Sequence, residues 1–188
     1  VEEEGLVPGN RVVLRGPNNA MLFPAWLGIL KAGGVVVATM PMLRGGEVAT
    51  ILDRARVSHA IVDSRSLEDY AAAAGQVGTV RSLLTYDGDG GSGELERRLR
   101  GVAPGFAPVE TKRDDIALVA FTSGTTGRPK GCVHYHRAVL ATCDSFARHV
   151  LKPRPGDRWA CSAPIAFTFG LGMLLTFPWR FGGTAVTV

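Results

Sequence analysis

Short runs of β-branched and other apolar residues alternate with longer helical patterns along this chain of 188 residues. The runs predict seven strands: Arg11–Arg15, Val35–Thr39, His59–Asp63, Ser82–Thr85, Ile116–Phe121, Trp159–Ser162 and Thr184–Val188. Two apolar stripes with helical spacing lie between them, one at Val48, Ile51, Leu52 and Ala55 and one at Val139, Cys143, Phe146 and Val150. Strands that alternate with amphipathic helices build βαβ units, so the order predicts an α/β fold with a mostly parallel sheet flanked by helices.

Two apolar stretches are long enough to cross a bilayer, but we predict that both are buried parts of the fold. The stretch from Ala20 to Leu43 contains a single charge, and prolines and two adjacent glycines divide it into helix, turn and strand. The stretch from Trp159 to Trp179 contains no charge but is interrupted by prolines, glycines and several hydroxyl residues. Buried elements of a parallel α/β fold are equally apolar, so we expect no membrane span.

The composition argues against several classes of protein. Hydrophobic residues make up 46% of the chain, enough for a buried core, and the 24 glycines and 11 prolines fall short of a low-complexity composition. The net charge is +4, but the 21 basic residues are scattered rather than clustered, so we expect no nucleic-acid partner. The three cysteines form no CxxC pair, which predicts neither a disulfide framework nor a metal site and favours a cytoplasmic protein.

We divide the chain into three parts around one interruption. Residues 1–100 are rich in βαβ patterns, residues 101–113 form an extended connector, and residues 114–188 carry the most distinctive motifs. The glycine-rich run Asp87–Gly93 is predicted to be a mobile surface loop before a short charged helix. The chain ends on a β-branched run whose edge would be exposed, and natural domains usually cover such an edge, so we expect a fragment.

The most distinctive segment is Phe121–Gly131, FTSGTTGRPKG, which follows a predicted strand and precedes a helix predicted to begin near Arg137. Glycines allow the backbone to turn its N–H groups toward an anion, hydroxyls add donors, and a lysine adds a charge suited to phosphate. The pattern predicts a phosphate-binding loop, but not a Walker A loop, because Lys130 is followed by glycine and not by Ser or Thr. An ordinary surface loop is the alternative that the composition leaves open. The residues that carry the prediction are Thr122, Ser123, Gly124, Thr125, Thr126, Gly127 and Lys130.

FTSGTTGRPKG resembles the signature loop of the acyl-adenylate-forming superfamily, which includes acyl- and aryl-CoA ligases, peptide-synthetase adenylation domains and firefly luciferase. The resemblance implies that the loop binds the β- and γ-phosphates of ATP and that Lys130 has a catalytic role on the pyrophosphate side. The segment Val7–Val62 is similar to the βαβαβ run of the family's large N-terminal domain. The family's Mg²⁺-binding acidic motif, ribose-binding aspartate, hinge and C-terminal domain with its catalytic lysine have no counterpart in these residues. The resemblance therefore implies that this chain alone completes neither half-reaction.

A second segment, Ala163–Gly172 (APIAFTFGLG), resembles the part of the same family that places an aromatic or histidine side chain beside the acyl carboxylate. Phe167 stands where coumarate-type ligases have His, and Phe169 stands where benzoate-CoA ligases carry an aromatic residue. The resemblance implies that Phe167, Phe169 and Gly170 contact the acid, and the segment is most similar to that of benzoate- and 2-aminobenzoate-CoA ligases. A flat apolar acid needs aromatic walls, although the pattern by itself is equally typical of core phenylalanines.

Three other patterns are weaker. Gly88–Gly93 matches GxGxxG, but its strand is weak and its helix has only two leucines to bury, so a dinucleotide site is not favoured. His134 and His136 have no carboxylate nearby in the sequence and are not predicted to bind a metal. Asp114 and Asp115 are predicted to lie in a solvated turn rather than to act as a catalytic pair.

The resemblance implies an ATP-dependent aryl-CoA ligase, with benzoate or 2-aminobenzoate as the acid and with ATP, Mg²⁺ and CoA as cofactors. Two alternatives are an adenylation domain that loads an aryl acid onto a carrier protein and a non-catalytic nucleotide-binding module. A third, an NAD-dependent oxidoreductase, would use the loop at residues 88–93. All expected partners are small molecules, and the sequence specifies neither the ring substituent nor the oligomeric state.

Overall fold

The computed structural model describes residues 4–88, 91, 93–122 and 129–187. These residues contain eight strands: β1 (Arg11–Arg15), β2 (Val35–Thr39), β3 (His59–Asp63), β4 (Ser82–Tyr86), β5 (Ile116–Thr122), β6 (Lys130–Tyr135), β7 (Arg158–Ala160) and β8 (Thr184–Val186). They also contain seven α-helices: α1 (Leu22–Lys31), α2 (Gly45–Arg54), α3 (Leu67–Ala74), α4 (Glu94–Arg100), α5 (His136–Thr142), α6 (Thr168–Leu171) and α7 (Phe177–Phe181). A 3₁₀ turn, Ser64–Ser66, precedes α3, and π-helical segments continue α5 and α6 over Cys143–Leu151 and Gly172–Thr176.

Six strands form the main sheet in the order β4-β3-β1-β2-β5-β6, and β7 pairs with β8 in a separate parallel ribbon. Neighbouring strands of the main sheet are parallel except for β5 and β6. The bounds predicted for β1, β2 and β3 are confirmed, while β4 and β5 are each one residue longer than predicted. The predicted α/β fold with a mostly parallel sheet is therefore confirmed.

The last two predicted strands are shorter than the sequence indicates. β7 begins at Arg158 and ends at Ala160, which lies opposite Val186, the last residue of β8, in the parallel register. β8 ends at Val186, and Val188 lies outside the described residues.

Side chains alternate across the central strands and fill a core on each face of the main sheet. One core lies between the sheet and α1 and includes Val12, Leu14, Val36, Leu22, Phe23, Trp26 and Ile29. The other lies between the sheet and α2 and α3 and includes Val13, Val37, Val48, Ile51, Leu52 and Tyr70. The stripe predicted on α2 is thus confirmed as a buried face.

β6, which the sequence does not predict, pairs with β5 in antiparallel register at the edge of the main sheet. The six residues of β6, KGCVHY, are almost all exposed, so they lack the apolar run that indicates a buried strand. The backbone hydrogen bonds to β5 hold these residues in the sheet, and a strand at the edge of a sheet can form without burying its side chains. The segment FTSGTTGRPKG therefore joins two strands of a hairpin, and not a strand directly to a helix.

The second predicted stripe is helical, but much of it is exposed within the part of the chain that the structure describes. α5 and its π-helical continuation cover residues 136–151. Cys143 and Ala147 are buried in a small core with aromatic neighbours, whereas Phe146 and Val150 are 45% and 64% exposed. Helical spacing thus predicts the element correctly but not which of its residues the neighbouring elements cover.

The connector at residues 101–113 forms no helix or strand and is held against the end of α1 by a hydrogen bond from the Val109 N–H to the Lys31 carbonyl oxygen at 2.8 Å. Three residues of the predicted mobile loop, Asp89, Gly90 and Ser92, lie outside the described residues. No helix in the described ranges is long and apolar enough to cross a membrane.

Candidate active site

The FTSGTTGRPKG segment closes the β5–β6 hairpin. Thr122 and Lys130 lie opposite each other in the antiparallel register, and Phe121 lies opposite Gly131. A Cβ atom at Gly131 would approach the Val119 side chain to 3.0 Å and the Phe121 ring to 3.2 Å, so glycine lets β6 pass closely over both. Outside the described residues lie the other predicted phosphate-binding residues, Ser123, Gly124, Thr125, Thr126 and Gly127.

Lys130 is exposed on β6, and it makes no ion pair within residues 4–88, 91, 93–122 and 129–187. A lysine on a flexible stem then acts as a point charge that can follow a phosphate group.

A cleft of about 640 Å³ lies between the β5–β6 hairpin, α5 and the Ala163–Gly172 segment. Its walls are mainly apolar and include Leu118, Ala120, Val139, Phe146, Phe169 and Phe177. Thr122 belongs both to the wall of the cleft and to the hairpin, so the cleft reaches the end of the predicted phosphate loop. Clefts of this size and character hold small ligands that are mostly apolar and are oriented by a few polar groups.

The three residues predicted to contact the acid have different surroundings. Phe169 lines the cleft and is 56% exposed. Phe167 is 50% exposed at the start of α6, outside the cleft lining. Gly170 is buried, and a Cβ atom there would lie 2.1 Å from the Pro164 carbonyl oxygen and 2.6 Å from the Ala163 carbonyl oxygen. The structure therefore gives Gly170 a packing role, because only a residue without a side chain fits against these carbonyl groups.

Asn18, in the loop after β1, holds the Ala163–Gly172 segment by two side-chain hydrogen bonds. Its Nδ2 atom donates to the Ala163 carbonyl oxygen at 3.1 Å, and its Oδ1 atom accepts from the Ile165 N–H at 2.9 Å. Ile165 is 2% exposed and packs in the same core as Trp26. Asn18 is not predicted from the sequence, because its partners lie 145 and 147 residues further along the chain.

Buried polar groups at the carboxyl end of β3 support the loop that contains Asn18. The Asn19 Nδ2 atom donates to Asp63 at 2.9 Å, and the Asn19 Oδ1 atom accepts from the Leu22 N–H at 3.0 Å at the start of α1. The Asp63 carboxylate also accepts two hydrogen bonds from the Arg65 guanidinium, at 2.9 and 3.0 Å. Burial acts to raise the pKa of Asp63, but the hydrogen bonds from Arg65 and Asn19 outweigh it and lower the pKa.

Arg15, at the carboxyl end of β1, is a second buried charge that the sequence analysis does not assign. Its guanidinium donates to the carbonyl oxygens of Met40, Pro41 and Leu43 at 2.8, 3.1 and 2.7 Å, which fixes the chain between β2 and α2. In RVVLR and HAIVD a charged residue follows three apolar residues at the end of the strand, and this is the sequence signal that marks both positions. Ligands of open parallel sheets bind beyond the carboxyl ends of the strands, and Arg15 and Asp63 both lie at that end of the main sheet.

Two of the weaker patterns contain residues that take part in local hydrogen bonds. The carboxylate of Glu96 accepts a hydrogen bond from the Asp87 N–H at 2.8 Å, so an acidic group already faces the backbone where the pyrophosphate of a dinucleotide would have to bind. Asp115 accepts from the Lys112 N–H at 2.7 Å in the predicted turn. Around the histidines and elsewhere in the described residues, no three His, Cys, Asp or Glu side chains converge on a common point.

Comparison with known proteins identifies the family of the chain. All 188 residues match the sequence profile of AMP-binding enzymes. The chain belongs to the AMP-binding enzyme family. The resemblance that the FTSGTTGRPKG and APIAFTFGLG segments indicate is therefore confirmed at the level of the family.

Two relatives and one solved structure show how broad that similarity is. The chain is 33% identical over 184 residues to the benzoate–CoA ligase of Thauera aromatica, which covers 97% of this chain and 34% of the relative. It is 31% identical to a long-chain-fatty-acid–CoA ligase of Mycobacterium tuberculosis over an alignment of 193 positions, and this alignment covers 97% of this chain and 37% of the relative. It superposes with a TM-score of 0.90 and 27% identity on the anthranilate CoA ligase AuaEII in complex with anthranoyl-AMP, over 99% of this chain and 36% of that structure. The chain thus spans about a third of the length of these proteins.

Proposed function

We propose that the protein containing this chain is an ATP-dependent aryl-CoA ligase that acts on benzoate or 2-aminobenzoate. A carboxylate oxygen of the acid attacks the α-phosphorus of ATP, the bond from that phosphorus to the bridging oxygen breaks, and aryl-AMP and pyrophosphate form. The CoA thiol then attacks the acyl carbon, the thiol proton is released and AMP leaves. The proposal extends the family assignment to a reaction and a class of acid.

One observation carries the proposal: Thr122 is shared by the hairpin that holds the phosphate loop and by the wall of the apolar cleft. An acid whose ring lies in the cleft can therefore present its carboxylate at the base of that loop. Holding two reactants in contact removes much of the entropic barrier to a bimolecular reaction.

Lys130 and the loop residues carry the phosphate side of the reaction in this proposal. Lys130 lies directly opposite Thr122, so its ammonium group can reach the phosphates of an ATP molecule bound over the hairpin. Its charge would offset the negative charge that develops on the departing pyrophosphate. The glycines and hydroxyls of residues 122–127 would add backbone and side-chain donors to the same oxygens.

The aromatic lining of the cleft supports an aryl acid as the substrate. Phe146, Phe169 and Phe177 line the cleft, and aromatic side chains make favourable edge-on or offset contacts with a flat ring. Phe167, at the start of α6, and Gly170 are assigned to the same acid in this proposal from the resemblance of the Ala163–Gly172 segment. Gly170 also packs against the carbonyl groups of Ala163 and Pro164. The similarity to a benzoate–CoA ligase and to an anthranilate CoA ligase supports the same class, whereas one relative is named for long-chain fatty acids.

Mg²⁺ and CoA enter this proposal from the family. When bound, Mg²⁺ would neutralise part of the charge on the ATP phosphates. The described residues bring no cluster of metal-ligating side chains together, so we assign the ligands of the ion to none of them.

Acid-dependent ATP–pyrophosphate exchange by the complete protein tests the proposal. Benzoate, 2-aminobenzoate, coumarate, acetate and palmitate would be compared, and we expect the two benzoates to support the fastest exchange. Faster exchange with coumarate, acetate or palmitate would overturn the assignment of the aromatic lining but not that of the phosphate loop. Exchange with none of the acids would overturn the adenylation reaction itself.

The thiol acceptor is tested in the same protein after the acid is known. Free CoA and a phosphopantetheinyl carrier protein would be offered to the adenylated enzyme, and we expect the acyl group on CoA. Transfer to the carrier protein alone would replace the ligase by an aryl-loading adenylation enzyme.

A further inference from the structure

We propose that Asn18 is a positioning residue for the acid, because its amide fixes the segment that carries Phe169. The inference rests on the proposed function, since it assigns Asn18 to the acid side of the same site. Asn18 itself is separated from the acid by the segment it holds, so it acts through that segment.

The Asn18 bonds tether a segment that is otherwise irregular. Residues 161–167 form no helix or strand, and Ile165 is the one residue among them that is fully buried. Within the described part of the chain, the two Asn18 bonds are the only hydrogen bonds that join residues 161–167 to any residue before them. The position of the segment on the sheet therefore depends on this side chain and on the packing of Ile165.

The loop that carries Asn18 is packed and hydrogen-bonded to the sheet on both sides of this residue. At Gly16 the backbone of this loop lies directly against β3 and β4. A Cβ atom added at Gly16 would lie only 2.2 Å from the Tyr86 hydroxyl oxygen and 2.7 Å from the Asp63 Cβ atom. On the other side of Asn18, Asn19 bonds both Asp63 and the start of α1. The donor and the acceptor of Asn18 thus have fixed positions, and they fix the two backbone groups that they bind.

The position of the segment reaches Phe169 through Gly170. Ala163, whose carbonyl oxygen Asn18 binds, is one of the two residues against which Gly170 packs. A shift of Ala163 must therefore shift the start of α6 and the adjacent ring of Phe169. Displacing a group that contacts the substrate by about 1 Å can lower the reaction rate about 100-fold.

Three variants of the complete protein separate this role from general destabilisation. Asn18→Ala removes both hydrogen bonds. Asn18→Asp keeps the acceptor for the Ile165 N–H but places a carboxylate oxygen against the Ala163 carbonyl oxygen. Asn10→Ala is the matched control, because Asn10 also binds a backbone group, the Val7 N–H at 3.1 Å, but lies in a different loop.

The readouts are the KM values for acid and ATP and the hydrogen–deuterium exchange of the peptide covering residues 161–169. We expect both Asn18 variants to raise the KM for the acid roughly tenfold and to change the KM for ATP less than about twofold. We also expect faster exchange in residues 161–169 and unchanged exchange in β1, since the loss is local. Asn10→Ala should leave all of these quantities unchanged.

The outcomes distinguish the inference from the proposed function. Unchanged exchange of residues 161–169 in Asn18→Ala would overturn the tether whether or not the protein is active. Faster exchange with an unchanged KM for the acid, or wild-type behaviour of Asn18→Asp, would overturn the positioning role. If the wild-type protein activates no acid, the proposed function fails, and the exchange of the segment still decides whether Asn18 tethers it.

Discussion

Replacing Gly170 by alanine tests whether the packing of α6 against residues 161–167 sets the acid site. The new methyl carbon would lie 2.1 Å from the Pro164 carbonyl oxygen and 2.6 Å from the Ala163 carbonyl oxygen. Real contacts of this kind are not shorter than 3.0 Å, so one of the two backbones must move by about 0.9 Å. Overpacking of a well-packed site costs about 1–3 kcal/mol, and a shift near 1 Å at a reacting group costs about 100-fold in rate.

Urea unfolding of the complete protein and the kinetics of acid-dependent exchange measure both effects, with Gly28→Ala as the control. Gly28 is exposed in α1 with no neighbouring group within 4 Å of an added Cβ atom, so alanine there should stabilise the helix by up to about 1 kcal/mol. For Gly170→Ala we expect unfolding at lower urea and at least a roughly tenfold lower kcat/KM for the acid. If Gly170→Ala unfolds at the wild-type urea concentration and keeps the wild-type acid kinetics, the packing argument is refuted.

Three further predictions concern charge and ring contacts. Lys130→Ala should slow ATP–pyrophosphate exchange about 10²–10³-fold with little change in the KM for the acid. Lys112→Ala, on the exposed connector, is its control. Equal exchange rates for the two variants would contradict the proposed role of Lys130. Phe169→Ala should raise the KM for the acid roughly tenfold, because the ring loses contact area that the acid would bury. Phe106→Ala is the control, since Phe106 is 52% exposed on the connector, and equal KM values would contradict the assignment of the cleft. The pKa of Asp63 is lowered in the folded protein, so its stabilising effect is complete at neutral pH and is lost as the pH falls through that lowered pKa. Urea titrations between roughly pH 3 and pH 7 should therefore show a steeper loss of stability at low pH for the wild type than for Asp63→Asn, and parallel curves would contradict this.

The strands at the centre of the sheet could be predicted from local sequence. β1, β2 and β3 are covered on both faces, so their residues are apolar almost without interruption and the runs stop where the strands stop. β6 carries no such signal, because it is an exposed edge strand whose register is set by β5. The helix over residues 136–151 lies between these cases: its spacing is visible in the sequence, but its exposure depends on what packs against it.

At the candidate site, the chemistry of each segment is evident from its local sequence. Glycines, hydroxyls and Lys130 lie within the 11 residues of FTSGTTGRPKG, and the aromatic run carries Phe167 and Phe169. That the two segments share one cleft through Thr122, and that Asn18 holds the second of them, depends on the folded arrangement of the chain. A local pattern reports the backbone preferences and the chemistry of neighbouring residues. The two Asn18 hydrogen bonds join residues 145 and 147 positions apart. Neither the loop after β1 nor the Ala163–Gly172 segment carries a local pattern that indicates the other, and the two meet only in the folded chain.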